Sequence, residues 1–229
     1  MTSSTERSRR AVPERSRRAV PERSRRAVPE RSRRVVLATR NSHKVVELTA
    51  ILGPTLGDLE LVALPDDAPD PIEDAPTFAE NALIKARSAV AFTGLPALAD
   101  DSGIEVDALG GAPGVHSARY AGTRNDRDNV ELLLKNLEGA TDRTGRFVCA
   151  AAFVAPDGTE LVEVATWPGV ILEAPAGVGG FGYDPVFLPD GQEVSAAELT
   201  AAGKNAISHR TIAFRTLMSS VAARFGADV

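Results

Sequence analysis

Cysteine is almost absent from this chain. The one thiol, Cys149, sits inside an apolar run over residues 147–154. A disulfide framework and a cysteine zinc site are therefore excluded, and the composition suits a reducing, cytoplasmic setting. Aromatic residues make up only 5% of the chain, so a place where two fall together among glycines stands out. Long hydrophobic runs are missing as well. No segment approaches the length of a membrane span, and no secretory apolar region follows the basic start. What remains is 229 residues, 43% hydrophobic and 25% charged. That suits a soluble globular protein of one large domain or two lobes.

The net charge of −5 hides a division. Residues 1–34 carry 12 Arg and 4 Glu, while the rest carries 14 Lys and Arg against 27 Asp and Glu. An acidic body is a poor general binder of nucleic acid. To hold a polyphosphate it must gather its cations, or a metal, in one cleft. The basic start is an eight-residue repeat, Arg-Ser-Arg-Arg-Ala-Val-Pro-Glu, beginning at Arg7, Arg15 and Arg23, with a fourth copy from Arg31 running into Val35. A proline every eight residues breaks any helix, and the apolar content is too low for a core. Residues 1–34 read as a disordered tail and 35–229 as the folded domain. Repeat expansion or a misplaced start accounts for such a tail; tethering to a polyanion is the functional alternative.

Periodicity gives the elements of the folded part. The β-branched run 35–39 predicts a short buried strand. Asn41 caps a helix over 43–52, closed by Gly53-Pro54. A second strand is expected over 59–64, then an acidic, proline-rich loop over 65–76. Thr77-Phe78-Ala79-Glu80 is a capping box opening a helix to Phe92. Strands over 97–99 and 104–106 flank Asp100-Asp101-Ser102-Gly103, read as a turn. A helix follows from Asn125 or Asp126 to Leu137. Strands over 145–155 and 159–170 form a hairpin around Pro156-Asp157-Gly158. A last helix runs from Ser208 to Phe225. Early alternation of strand and helix with a late hairpin predicts an α/β fold with a mixed sheet.

Five segments carry chemistry. The adjacent carboxylates Asp100 and Asp101 at a strand end can hold a hard cation such as Mg²⁺, although Asp-Asp-Ser-Gly is also ordinary turn chemistry. Thr39-Arg40-Asn41-Ser42-His43-Lys44, between a strand and a helix start, offers backbone N–H groups, hydroxyls and a lysine to phosphate. It lacks the Gly-Lys-Ser/Thr ending of a Walker loop. Glu73 lies just ahead of the next helix cap, where it can share a metal or simply stay solvated. Gly179-Gly180-Phe181-Gly182-Tyr183-Asp184-Pro185 lets backbone approach a flat ligand while a ring stacks on it; core-packed aromatics are the alternative. Lys204, Ser208, His209 and Arg210 bring cations and an imidazole into the last helix.

In order, Thr39-x-Asn41-x-x-Lys44, Thr77-Phe78-x-Glu80-Asn81-Ala82, Ala99-Asp100-Asp101-Ser102-Gly103, Gly111-x-Pro113-Gly114-Val115-x-Ser117-Ala118-Arg119-Tyr120, Trp167-Pro168-Gly169, Gly180-Phe181-Gly182-Tyr183-Asp184-Pro185 and Ser208-His209-Arg210 closely resemble the inosine/xanthosine triphosphate pyrophosphatase family. The resemblance spans about 35–225 and leaves the repeat tail without a counterpart. It implies Mg²⁺-dependent hydrolysis of aberrant purine nucleoside triphosphates (ITP, dITP and XTP) to monophosphate and pyrophosphate. It implies an elongated mixed sheet with flanking helices, two lobes around a central nucleotide cleft, and a homodimer. By position, Asp101 matches the proton-accepting carboxylate and a metal ligand, and Glu73 the other metal ligand, with Asp100 a further candidate. Thr39, Arg40, Asn41, Ser42, His43 and Lys44 match the triphosphate cradle, and Ser102 a substrate contact. Phe181, Gly182, Tyr183, Asp184, Lys204, His209 and Arg210 match nucleotide and base contacts; Lys85 is a weaker phosphate candidate. Many members carry glycine where this chain has Arg40, which adds a cation but removes room for close backbone approach. Two other readings compete: a pyrophosphatase for modified pyrimidine or methylated nucleotides, and a nucleotide- or RNA-binding protein without catalysis.

Overall fold

The computed structural model describes residues 34–57 and 59–225. The repeat tail lies outside the described residues except for Arg34, which opens the first strand. The elements are β1 (Arg34–Leu37), α1 (Ser42–Leu52), β2 (Glu60–Ala63), α2 (Phe78–Thr93), β3 (Ala97–Val106), α3 (Asp126–Asn136), β4 (Thr144–Val154), β5 (Glu160–Ile171), β6 (Phe187–Pro189), α4 (Ala201–Ile207) and α5 (His209–Phe225). They form one six-stranded mixed sheet in the order β2-β1-β3-β4-β5-β6. β1 pairs in parallel with β2 and β3, and the remaining pairings are antiparallel. This is the α/β mixed sheet that the alternation of elements predicts.

Local chemistry sets the helix starts. Asn41 Oδ1 accepts from Lys44 N–H and Thr77 Oγ1 accepts from Glu80 N–H, so both predicted caps form. The Thr77 hydroxyl also donates to the Glu80 carboxylate at 2.8 Å, which ties the two side chains of the capping box together. α2 buries Phe78, Ala82, Ala86 and Ala89. Three of these are alanines, which lets the helix axis lie close to the sheet. Gly94 ends α2 in the left-handed conformation.

Strand alternation divides the core into layers. Val35, Leu37, Leu98, Cys149, Ala151 and Phe153 face α1 and α5. Val36, Ala97, Ala99, Val148, Ala150 and Ala152 face α2 on the opposite side. Toward its far end the sheet carries a third cluster, in which Ile104, Val106, Phe147, Trp167 and Phe187 pack with α3 residues Val130, Leu133 and Leu137. Two lobes result, one built on the first two layers and one on the third, with a cleft between them.

Three expectations need correction. Asp100-Asp101-Ser102-Gly103 is not a turn. It is the middle of a continuous ten-residue strand, paired with β4 from Ala97↔Val154 to Val106↔Gly145. Turn-forming side chains prevail only when they bond their own backbone. Here the β4 ladder takes the backbone, and distant cations, with the nearby Ser102 hydroxyl, take the carboxylates. Second, Lys204 does not lie in the run into the last helix but on α4, a separate helix that the periodicity does not predict. Third, Ser208 is an extended junction between α4 and α5 rather than part of the latter.

Candidate active site

Adjacent carboxylates on a strand point to opposite faces, and this decides their roles. Asp100 points toward α1 and α5 and is 1% exposed. It accepts from Lys44 Nζ at 2.9 Å, Ser102 Oγ at 2.8 Å and Arg210 Nε at 3.3 Å. Burial alone would favour the neutral acid, but the charges of Lys44, Arg210 and Lys85 outweigh it and hold Asp100 well below the usual carboxylate range. Asp100 is thus a permanent anion that anchors cations on the face of β3 opposite Asp101.

Asp101 points the other way, toward α2. Its Oδ1 lies 3.1 Å from Lys85 Nζ, and the same ammonium lies 2.7 Å from Glu73 Oε2. Burial pushes the Asp101 carboxyl above its ordinary value, with Lys85 and Lys44 opposing. Lys85 is driven up by Asp101, Asp100 and Glu73 against its own burial, so it stays charged. Two hard carboxylate oxygens, from residues 28 positions apart, therefore converge on one positive centre. That donor set fits Mg²⁺, which takes one or two carboxylates and fills its shell with water and phosphate oxygens. Among the described residues no group of three His, Cys, Asp or Glu could hold a metal.

The opposite end of the cleft is aromatic and cationic. Phe181 lies between three polar groups: the His43 ring stacks at 5.3 Å, Lys204 Nζ lies 5.0 Å and the Arg210 guanidinium 5.2 Å from its centroid. Lys204 pairs with Asp184 at 2.5 Å and Glu47 at 2.9 Å, and Arg210 takes the other Glu47 oxygen at 2.7 Å. Asp184 also accepts from Phe181 N–H at 2.9 Å, which fixes the loop. Gly180 is obligatory there: its φ is +69°, and a Cβ would collide with the Asp184 carboxylate. His209 is buried against Phe147, with centroids 4.8 Å apart and rings 6° from parallel. Its Nδ1 has no hydrogen-bond partner among the described residues. Burial, aided by Arg210 and Lys204, holds its pKa well below 6.5, so it is neutral. The neutral ring has one N–H to donate and one nitrogen to accept.

A cavity of about 590 Å³ joins the two ends. Thr39, Arg40, Asn41, Lys44, Glu73, Asp101, Ser102, Phe181, Gly182, Tyr183, Asp184, Lys204, His209 and Arg210 all line it. Ser42 and His43 do not; Ser42 is an exposed first residue of α1, and His43 reaches the site only through Phe181. Tyr183 presents its ring, while its hydroxyl donates to Ser117 O at 2.8 Å. Arg40 is tied to the acidic loop, bonding Asp70 at 2.6 Å and the Ala68 carbonyl. Sequence reasoning overlooks Glu47, which looks like a solvated acid on a helix, and Phe147, which looks like plain core. The i, i+3 step from Lys44 to Glu47 was the available signal, since it puts both on one helix face.

The model of the Ham1 family matches residues 35–220. A dITP/XTP pyrophosphatase of Frankia alni is 55% identical over 191 residues, covering 80% of this chain and 94% of that protein. One from Cutibacterium acnes is 51% identical over 196 residues, covering 82% and 96%. The solved Ham1 protein of Staphylococcus aureus has a TM-score of 0.75 at 35% identity, covering 83% of this chain and 99% of that one. A match over residues 35–220, in sequence and in architecture alike, means that this chain belongs to the Ham1 family.

Proposed function

We propose that the cleft hydrolyses dITP, XTP and ITP to the nucleoside monophosphate and pyrophosphate with Mg²⁺, clearing aberrant purines from the nucleotide pool. The observation that carries this reading is the polarity of one cavity. At one end the Phe181 ring lies with Lys204 and Arg210 around it; at the other, Glu73 and Asp101 share a single cation. A flat base and its phosphates need those two environments at once. The relatives' names supply the deaminated or oxidised purine and the pyrophosphate product.

In this reading the base lies against Phe181, and the 6-carbonyl shared by hypoxanthine and xanthine accepts from the His209–Arg210 region. Adenine would place an amine against those donors, and an unpaired buried donor is costly. Thr39, Asn41 and Lys44 cradle the phosphates. Asp101 orients and deprotonates the water that attacks the α-phosphorus, its basicity raised by burial. Lys85 holds Asp101 and Glu73 in place and stays positive beside the phosphates. When bound by Glu73 and Asp101, Mg²⁺ supplies positive charge next to the departing pyrophosphate. We further propose a homodimer in the cytoplasm, following the resemblance. Among the described residues no helix is long and apolar enough to cross a membrane.

Pyrophosphate release from dITP, XTP, ITP, GTP and ATP, with Mg²⁺ and with EDTA, tests the activity. Release confined to Mg²⁺ and strongly favouring the first three is expected. Preference for a modified pyrimidine nucleotide would replace the substrate class, and no release at all would leave a binding protein. Asp101→Asn should lose about 10²–10⁴-fold in turnover, the contribution of a positioned general base, while still binding nucleotide. Turnover close to wild type in that variant would remove Asp101 from the mechanism. Light scattering on the eluted peak reads the subunit count.

A further inference from the structure

The cations of the cleft are already spoken for, with one exception. Lys44 faces Asp100, Lys85 faces Glu73 and Asp101, Lys204 faces Glu47 and Asp184, Arg210 faces Glu47 and Asp100, and Arg40 faces Asp70. Arg124 also lines the cavity, and no side chain or carbonyl among the described residues takes its guanidinium. A second, smaller cavity of about 340 Å³ opens beside the first and shares Glu73, Asp101, Ser102 and Arg124 with it. Its other basic residue, Arg119, is likewise exposed and without a partner among the described residues.

The backbones beneath these two arginines are fixed, although their side chains are free. Arg119 ends a short helical stretch, Gly114–Arg119, whose buried Ser117 accepts from Ile104 N–H at 2.9 Å and donates to Gly114 O at 2.6 Å. The Ser117 carbonyl is held in turn by the Tyr183 hydroxyl. Arg124 sits between two side-chain anchors. Thr123 donates to Asp128 at 2.8 Å, and Asn125 caps α3 by accepting from Arg127 N–H at 2.9 Å. The next residue, Asp126, accepts from Gly182 N–H at 2.7 Å and ties the segment to the aromatic loop. A guanidinium costs little to leave unpaired in solvent. Two of them, on rigid supports and lining one cavity next to the reacting end of a cleft, make a planar-fork site for phosphate oxygens.

We infer that Arg119 and Arg124 form a second anion subsite, which holds the terminal phosphate of the triphosphate and the pyrophosphate it becomes. This rests on the pyrophosphatase reading of the cleft. The subsite accounts for an electrostatic need that the inner cleft does not meet, since each inner cation is offset by a carboxylate. It also gives the leaving pyrophosphate a way out that does not pass the base.

The test uses the full-length protein and two probes, inorganic pyrophosphate and inosine monophosphate, each titrated by calorimetry. The variants are Arg119→Gln/Arg124→Gln and Arg119→Lys/Arg124→Lys, with thermal unfolding as the check on folding. Loss of one charge-assisted contact to phosphate weakens binding by about tenfold. The Gln pair should therefore weaken pyrophosphate by about 100-fold and raise KM for dITP, while inosine monophosphate binds as in wild type. The Lys pair should recover part of the loss, because charge remains but the fork does not. Unchanged pyrophosphate affinity in the Gln pair overturns the subsite, as does wild-type protein that binds no pyrophosphate. An equal loss for the monophosphate also overturns it, since the arginines would then be shaping the whole cleft. Hydrolysis of the triphosphate panel by wild type is read separately, so failure of the pyrophosphatase reading is told apart from failure of the subsite.

Discussion

Single residues here take their chemistry from which way the strand or helix turns them. Asp100 and Asp101 are neighbours in sequence, yet one is a buried anchor for Lys44 and Arg210 and the other a cleft carboxylate with raised pKa. Their presence was legible in the sequence; the division of labour was not, because a turn reading gives no alternation of faces. His209 shows the same limit. It lines the same cavity as Phe181, but its burial against Phe147 depends on a register, Phe147↔Trp167, that only the folded sheet defines. That burial has a measurable consequence. The unfolded imidazole titrates near 6.5, whereas the folded one is held well below it. Well above pH 6.5 neither state carries the proton, and the group adds no pH dependence. As pH falls below that value the unfolded chain takes up a proton that the folded chain refuses. Stability is then lost at up to about 1.4 kcal/mol per pH unit. The wild-type melting temperature should fall between about pH 7 and pH 5, and His209→Gln should flatten that fall. Equal slopes would assign the acid sensitivity to other groups.

Elements were legible wherever a local signal had no competitor. The caps at Asn41, Thr77 and Asn125 form as their side chains predict, and the β4–β5 hairpin runs within a residue of its expected bounds. α4 was hidden because seven residues give too few turns for a periodic signal, and β6 because three residues give too few alternations. β3 was misread because glycine and aspartate there serve packing and charge. Gly103 is the clearest case. A Cβ on it would meet Gly114 O at 2.6 Å, a Phe78 ring carbon at 3.0 Å and the Ser117 hydroxyl. The strand needs glycine so that the segment bearing Ser117 and Arg119 can lie directly on it. A backbone carbonyl cannot step aside as a flexible side chain can. Gly103→Ala should therefore cost about 1–3 kcal/mol, the range for overpacking a filled site. Urea unfolding should show a lower midpoint at unchanged slope. A midpoint equal to wild type would mean that the Gly114–Arg119 segment shifts freely, and that its anchoring by Ser117 is weak.

Across the whole molecule the lobes are joined by charge as well as by the sheet. Asp184, beyond β5, holds Lys204 on α4; Lys204 holds Glu47 on α1; Glu47 holds Arg210 on α5; and Arg210 reaches Asp100 on β3. Five separate stretches of chain meet in this chain of contacts, which is why no single motif announced it. Lys204 and Arg210 are each 5% exposed, so their charges have little water to fall back on. Glu47 is the member that faces both, and the two cations hold it ionised against its burial. Neutralising it leaves two buried cations sharing Asp184 and Asp100 alone. Removing one partner of a buried ion pair costs about 3–5 kcal/mol. Glu47→Gln keeps one carbonyl acceptor, so the expected loss is near the low end of that range, and Phe181 should lose the cations poised around it. Base affinity should weaken together with stability, read as a raised dissociation constant for inosine monophosphate. Glu131→Gln is the control, because its ion pair with Arg127 is a solvent-exposed i, i+4 contact that contributes little. If both substitutions leave unfolding and nucleotide affinity unchanged, the lobes are held by the sheet alone, and the buried charges serve only the ligand.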